Sequence, residues 1–555
     1  MSGAVLIRNG IIVDGTGRKR YEADLRIDGG LIVKIAKGLV PSAKDEHVVD
    51  AKGRFVCPGF FDIHNHSEFY LLSRNHGTLL RPLCYQGITT LVGGNCGFSA
   101  FPVQSDHAKE FLDSCKFLMV ETPEIRWSSC AEYLSLLESQ GSLFNFLTLT
   151  GHGVLRGALA HGSRKLTSKQ IDAIDRAIVQ SLTEGSYGLS TGLMYSPGCF
   201  SDSDEISHFA RLLSHYPNTL YSSHLRGYSE TLVESVGEFL NTISSAGIPG
   251  EISHLASYGA KNAPSIERAL QGIMDCNREG GRVEYDVLPY CSGSTTLMAI
   301  IPPWEYEKGT ADFIGKIRDD EHLDRMFEEM NRFVPQWPIW ENRYWGDNFV
   351  RNCGWQNIYV VGLEHNTDLV GLNFVEIAEK RKTSVSRCLR DLLIDENCNI
   401  IVLMTDDIGG CIGKHPIYLD MMLENPLSNV CTDALFQQNG RSMASTYGAF
   451  PRFIRRYVSE RKVLTLEDAI HKLTQKVASK FGITDRGTLQ EGVQADVIVF
   501  DASEFRDHPL VGARSYTEEP RLATGIDYLL INGEIVLENG KYYGDKRPGK
   551  VLRRS

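Results

Sequence analysis

The sequence predicts an α/β protein: a (β/α)8 barrel, TIM-like in layout, plus a small β-sandwich domain formed by both chain termini. Three observations predict it. Between about residues 57 and 480, short apolar runs alternate with helix-period segments. Residues 1–56 and 481–555 are instead built of short strand-like runs. Histidines and a cysteine recur just past the apolar runs, where a parallel barrel gathers its chemistry.

The elements follow in chain order. Val5–Arg8 and Ile11–Val13 flank Asn9-Gly10, and Asp24–Ile27 and Leu31–Ile35 flank Asp28-Gly29-Gly30. Both read as hairpins, because Asn-Gly and Asp-Gly adopt the positive φ that tight hairpin turns need. In the middle, Thr89–Val92, Phe144–Thr150, Gly188–Thr191, Asn218–Ser222, Gly250–Ser253 and Arg282–Leu288 read as strands. Between them, Thr167-x-x-Gln170 is a capping box ahead of Ile171, Ile174, Ile178 and Leu182, which keep helical spacing. Leu232, Val236, Phe239, Leu240 and Ile243 mark another helix. Residues 298–385 break this rhythm and carry Trp304, Trp337, Trp340, Trp345 and Trp355; they read as an insertion over the barrel mouth or as an irregular outer layer. The tail returns to strands at Ala495–Phe500 and at Tyr528–Ile531 and Glu534–Leu537 around Asn532-Gly533. The domains expected are therefore 1–56 and 481–555 as two parts of one β domain, with the barrel at 57–480 between them.

Composition narrows the function classes. A formal net charge of −11 lacks the basic footprint of a nucleic-acid binder. The 13 cysteines are odd in number and contain no CxxC pair, which fits reduced thiols better than a disulfide framework. No apolar run reaches the ~18 residues of a membrane span, and MSGAVLIRNG has no basic-then-apolar leader. The expectation is a cytoplasmic protein without membrane or nucleic-acid partners.

Five segments carry chemistry. In VCPGFFDIHNHSEF, His64 and His66 follow an apolar strand two places apart, so both imidazoles can face one point; two surface histidines would read the same. In GITTLVGGNCGFS, glycines surround Cys96, whose thiolate would suit zinc, although a small buried cysteine is common. LYSSHLRG and GEISHLAS end successive strands in His224 and His254. A Cys-His-His set leaves one position open, as a catalytic zinc requires. Asp433 in LSNVCTDALF and the pair Asp406 and Asp407 in IVLMTDDIGG each follow an apolar run and could move a proton beside a metal. Spacing does not choose between them.

This ordered set resembles the amidohydrolase superfamily and, within it, the D-aminoacylase (N-acyl-D-amino-acid deacylase) family. The likeness runs nearly the whole chain, through PGFFDIHNH, GNCG, TGHGVLRG around His152, YGLSTGLMYSPG with Tyr195, SSHLR, ISHL, DVLPYCSGSTTL, YGAFPRF and LTLEDAIHKLT. The resemblance implies a metal-dependent hydrolase barrel acting on a small-molecule amide. Cys96, His224 and His254 would hold a tight Zn2+. His64 and His66, with Cys96 and Asp433, would form a second, weaker metal position. Asp433, upstream of YGAFPR, would be the catalytic acid and base. Arg226, Tyr195, Ser294, Tyr290 and His152 are the candidates for substrate binding.

Departures mark the substrate side. The family's lysine two places after the second metal-binding histidine is Ala256 here, its His-Pro-Arg is Met443-Ala444-Ser445, and its Tyr-Pro-Tyr is Leu288-Pro289-Tyr290. These are the groups expected to hold a substrate carboxylate, so a larger or uncharged amide is expected unless Arg226 or Arg441 replaces the missing cation. A cyclic-amide hydrolase, of the hydantoinase or dihydroorotase kind, is the enzymatic alternative, disfavoured because Cys96 takes the place of their bridging lysine. A non-catalytic interaction protein on the same fold is the other, disfavoured because every ligand is retained.

Overall fold

The computed structural model describes residues 3–104, 106, 108–161, 163–405, 416–437, 439–508 and 521–554. The chain is mixed α/β. Six strands form a parallel sheet in the order Ser428–Val430, Val283–Val287, Gly250–Ile252, Leu220–His224, Gly188–Gly192, Thr150–Gly151. Three more, Phe60–Asp62, Ile88–Gly93 and Asn145–Thr148, form a second parallel sheet. Nearly every position of these strands is buried, as expected where both faces are covered. Ladder hydrogen bonds among the described residues do not join the two sheets into a closed barrel.

Helices return the chain between strands. Ser168–Thr183 starts at the Thr167/Gln170 capping box and buries Ile174, Ile178 and Leu182. Leu232–Ala246 and Ser265–Arg278 bury Val236, Phe239 and Ile243, and Ile266, Leu270 and Ile273. No described helix is long and apolar enough to cross a membrane.

Both ends of the chain lie in one nine-stranded sheet, because Phe55–Pro58 pairs antiparallel with Val497–Phe500. The first expected hairpin is not there. Val5–Ile12 is one strand that pairs with Tyr21–Asp28, and Asn9, at φ 57°, makes a bulge in it. A Cβ on Gly10 would come within 2.6 Å of Val56 Cγ2, so the glycine serves close packing rather than a turn. The Asp28-Gly29-Gly30 and Asn532-Gly533 hairpins do form, with positive φ at both glycines of the first and at both residues of the second.

The segment around 298–385 holds helices Thr310–Ile317 and Asp320–Arg332 and a strand, Ile358–Gly362, paired antiparallel with Ile401–Thr405. It has its own apolar core, in which Trp345, Phe349 and Trp355 pack with Met330 and Leu389. Eleven cysteines among the described residues are free thiols, while Cys291 is disulfide-bonded, against the expectation of reduced thiols throughout.

Candidate metal centre

The C-terminal ends of the parallel strands converge on one point. Strand Phe60–Asp62 delivers His64 and His66, whose rings stand edge to face with centroids 5.5 Å apart. Strand Ile88–Gly93 ends in a turn that carries Cys96 at φ 54°. The glycines beside it are obligatory: a Cβ on Gly94 would meet Leu149 O at 2.1 Å, and one on Gly97 would meet Gly192 N at 2.6 Å. His224 is the last residue of its strand, and His254 lies two beyond the end of the next.

The Cys96 Sγ lies 3.3 Å from His64 Nε2 and 3.4 Å from His254 Nε2, and His224 Nδ1 lies 3.0 Å from His254 Nε2. Two donor groups result, His64–His66–Cys96 and Cys96–His224–His254, each with its donor atoms within 4.8 Å of one another. Donors ~3.3–3.6 Å apart are what tetrahedral zinc with bonds of ~2.0–2.3 Å requires. Two buried ring nitrogens, His66 Nδ1 and His224 Nε2, have no hydrogen-bond partner, although Glu68 Oε1 lies 4.0 Å from the first. The donor chemistry and spacing therefore fit zinc.

Electrostatics favour the same reading at Cys96 and His224. Burial pushes the Cys96 thiol up, but the His64 and His254 imidazoles and hydrogen bonds from His224 and His254 outweigh it and hold the group well below the usual thiol value. Burial, with His254 alongside, pushes His224 down to about 4, which leaves it a neutral imidazole at pH 7. His66 is raised to about 10, because bonds to Asp433 and Cys96 overcome its burial, and His64 and His254 are raised beside Cys96 as well, so a metal would displace protons from these three rings.

Asp433 completes the ring. Its Oδ1 is 3.4 Å from His66 Nε2 and 3.6 Å from His64 Nε2, and its backbone N–H donates to His64 O at 2.9 Å. The competing Asp406 and Asp407 lie outside the described residues. Sequence reasoning missed Asp286. Its Oδ1 accepts from the His254 backbone N–H at 2.7 Å and its Oδ2 lies 3.4 Å from His64 Nδ1, so one buried carboxylate orients two ligand candidates. The available signal was a carboxylate at the C-terminal end of an apolar strand run.

A cavity opens over this ring, bordered by Tyr195, Ala256, Tyr258, Tyr290, Ser292, Ser294 and Thr295. The Tyr195 ring stands 4.7 Å from that of His224, and its hydroxyl lies 3.0 Å from Thr295 Oγ1. Ser294 donates to Val402 O, and Tyr290 donates to Asp507. Two other substrate candidates do not reach the cavity. Arg226 is fully buried, its guanidinium bonded to Glu238 and stacked on Trp340; His152 is buried against Glu205. Each side chain is held by a carboxylate on a neighbouring helix, Glu238 within Leu232–Ala246 and Glu205 within Ser203–Leu212. Arg441 does not border the cavity either.

Comparison with known proteins finds likeness to amide hydrolases along the chain. A model of the "Amidohydrolase family" matches residues 433–537. The N-acyl-D-glutamate deacylase of Alcaligenes xylosoxydans xylosoxydans is 28% identical over 99% of this chain and 96% of its own. The D-aminoacylase of the same organism is 26% identical over 99% and 98%. The crystal structure of the N-acyl-D-glutamate deacylase from Bordetella bronchiseptica, complexed with zinc and a phosphonate mimic of the tetrahedral intermediate, superposes with a TM-score of 0.79 at 26% identity, covering 100% of both chains.

Proposed function

We infer that this chain, whose likeness to the D-aminoacylase amidohydrolases runs its full length, is a metal-dependent hydrolase of carbon–nitrogen bonds other than peptide bonds, and that it cleaves a linear amide. The observation that carries this is the convergence of Cys96, His224 and His254 beside Asp433 at the ends of parallel strands. In this reading Cys96, His224 and His254 hold the zinc, and His64 and His66, with Cys96 and Asp433, offer a weaker second position. When bound, zinc supplies Lewis acidity toward the amide carbonyl and makes water more acidic. Asp433 takes the proton of the attacking water and passes it to the departing nitrogen. Asp286 keeps His64 and His254 in register.

The same reading makes the two parallel sheets one (β/α)8 barrel. The Asp433 N–H bond to His64 O and the Thr432 N–H bond to Asp62 link the last strand to the first. Bonds from Leu149 N to Gly93 O and from Tyr187 N to Thr148 O bridge the other gap.

The substrate side departs from that of the deacylases. Among the described residues bordering the cavity none is lysine or arginine, and Ala256 stands where a lysine is expected. A site without a bidentate cation loses both charge and geometry for a carboxylate. The substrate is therefore a larger or uncharged amide, not a simple N-acetyl-D-amino acid.

The test combines metal analysis and hydrolysis on N-acyl amino acids of both hands, their amides and esters, and cyclic amides. We expect zinc near one per chain, turnover that favours uncharged compounds, and loss of both zinc and turnover in Cys96→Ala. A protein that purifies without zinc and hydrolyses nothing would sink the enzymatic reading. Ordinary deacylase rates on N-acetyl-D-amino acids would sink the altered-pocket reading alone.

A further inference from the structure

A second cavity, of about 670 Å3, also opens on Cys96. That volume is within the range of ligand sites, roughly 300–1,000 Å3. The linings of the two cavities share Cys96, Phe98 and Tyr195, so they adjoin at the turn that carries Cys96. They differ in lining. The first carries the hydroxyls of Ser292, Ser294 and Thr295. The inner wall of the second is apolar, with Phe98, Phe111, Val154 and Pro197.

Helix His152–Ala160 forms one side of this second chamber. Gly153, Gly157 and His161 border it at successive turns, with Val154 and Ala158 alongside. Positions i, i+4 and i+8 share a face that extends ~12 Å at ~1.5 Å per residue. The inner end is tight against the cysteine turn, since a Cβ on Gly153 would lie 3.0 Å from Gly97 O. A Cβ on Gly157 would meet nothing within 4 Å. The outer end reaches solvent, where Gln104, His161, Glu307 and Lys308 are exposed.

We propose that this chamber receives the acyl half of the substrate, and that the acyl group is a long unbranched apolar chain. The proposal rests on the amidohydrolase reading above. Hydrolysis adds water across the amide: its oxygen bonds to the acyl carbon, the C–N bond breaks, and the proton goes to the leaving nitrogen, releasing a carboxylic acid and an amine. The hydroxyl-bearing cavity suits the polar amine half. The chamber suits hydrocarbon, and its length matches an octanoyl or decanoyl chain. An acetyl group would leave it filled with water and gain nothing from its walls, whereas each buried methylene strengthens binding by roughly fourfold.

The experiment titrates zinc-loaded protein with sodium acetate and sodium decanoate by calorimetry, and measures hydrolysis of N-acetyl and N-decanoyl forms of the panel amides. Gly157→Phe and Ala158→Phe plug the chamber from the helix face. The first replaces the poorest helix former after proline, so the helix is retained, and zinc content and thermal unfolding verify the fold of both. We expect decanoate to bind at least ~10-fold more tightly than acetate. We expect the ratio of decanoyl to acetyl turnover to fall toward one in each variant. Equal binding of the two acids, or a chain-length preference that survives both substitutions, overturns the chamber. If acetyl compounds are still hydrolysed in that case, the amidohydrolase reading stands without it. No turnover on any compound overturns both.

Discussion

At the scale of the residue, a buried carboxylate links the two donor groups that share Cys96. Asp286 bonds the His254 backbone and lies beside His64 Nδ1, so it fixes one ligand candidate's position and the other's ring. Outer carboxylates of this kind typically change metal affinity by ~10–100-fold. Asp286→Asn should weaken zinc binding by about that factor with little change in unfolding temperature, measured by competition with a chelator; unchanged affinity would remove Asp286 from the site. The Ala256 position offers the complementary test. It borders the cavity and faces no arginine or lysine among the described residues there. Ala256→Lys should raise kcat/KM on N-acyl-D-amino acids relative to their amides by ~10-fold or more, because a charge-assisted contact to the carboxylate is regained. His64, His66, Cys96, His224 and His254 were visible in the sequence because each follows an apolar run that becomes a buried strand. Asp286 was equally visible as a strand-end carboxylate, but nothing local says which carboxylate will turn toward a histidine over 200 positions away. Arg226 and His152 misled for a related reason: adjacency to a motif does not give side-chain direction, and Glu238 and Glu205 had the stronger claim on them.

At the scale of the element, the strands are anchored from their other ends. Helix Gln475–Lys480 places Lys480 between Glu251 and Glu284, which lie side by side on adjacent strands, and Asn429 bonds both carboxylates. Lys480 is 7% exposed and Glu251 2%. Burial keeps Glu251 raised to about 7 even beside Lys480, whereas for Glu284, Lys480 and Lys476 overcome it and hold the group at about 2. Removing one member of a buried ionic cluster leaves an uncompensated charge, at a cost of ~3–5 kcal/mol. Lys480→Met should therefore destabilise the protein by about that amount in urea unfolding, while a surface lysine such as Lys37 changed to Met should not. The strand and helix pattern behind this was readable, since period and burial coincide. The turn residues were only half readable. Asp28-Gly29 and Asn532-Gly533 give hairpins, yet Asn9-Gly10 gives a bulge, because Val56 packs on Gly10 from a strand 46 positions on. A dipeptide fixes φ, and the partner strand decides what the positive φ is for.

At the scale of the whole molecule, the two ends of the chain are joined by more than the sheet. Arg54 reaches Asp501 and Asp527 at the other end, and Arg20 ties the N-terminal strands to helix Leu466–Leu473, gripping Glu467 through Nε at 2.8 Å and Nη2 at 2.8 Å across 447 positions. That both ends are strand-rich was plain in the sequence; these ion pairs were not, since charge pairing across such separations leaves no local pattern. Arg20–Glu467 gives the pairing a pH signature. Hydrogen bonds from Arg20 are the largest influence on Glu467, and they outweigh burial to hold its carboxyl at about 2 against an ordinary value of 4.5. A carboxyl whose pKa is depressed in the folded state stabilises the fold fully above its unfolded pKa. That contribution shrinks as pH falls from about 4.5 toward 2. Arg20→Gln should then lower the urea midpoint by a constant amount between about pH 5 and 8, with the gap to the unsubstituted protein closing progressively below ~4.5. The Arg20 side chain is 39% exposed, so added salt should narrow the gap at neutral pH as well. A gap that widens on acidification would mean that Glu467 is not held ionised by Arg20, and that this pair does not tie the N-terminal strands to helix Leu466–Leu473.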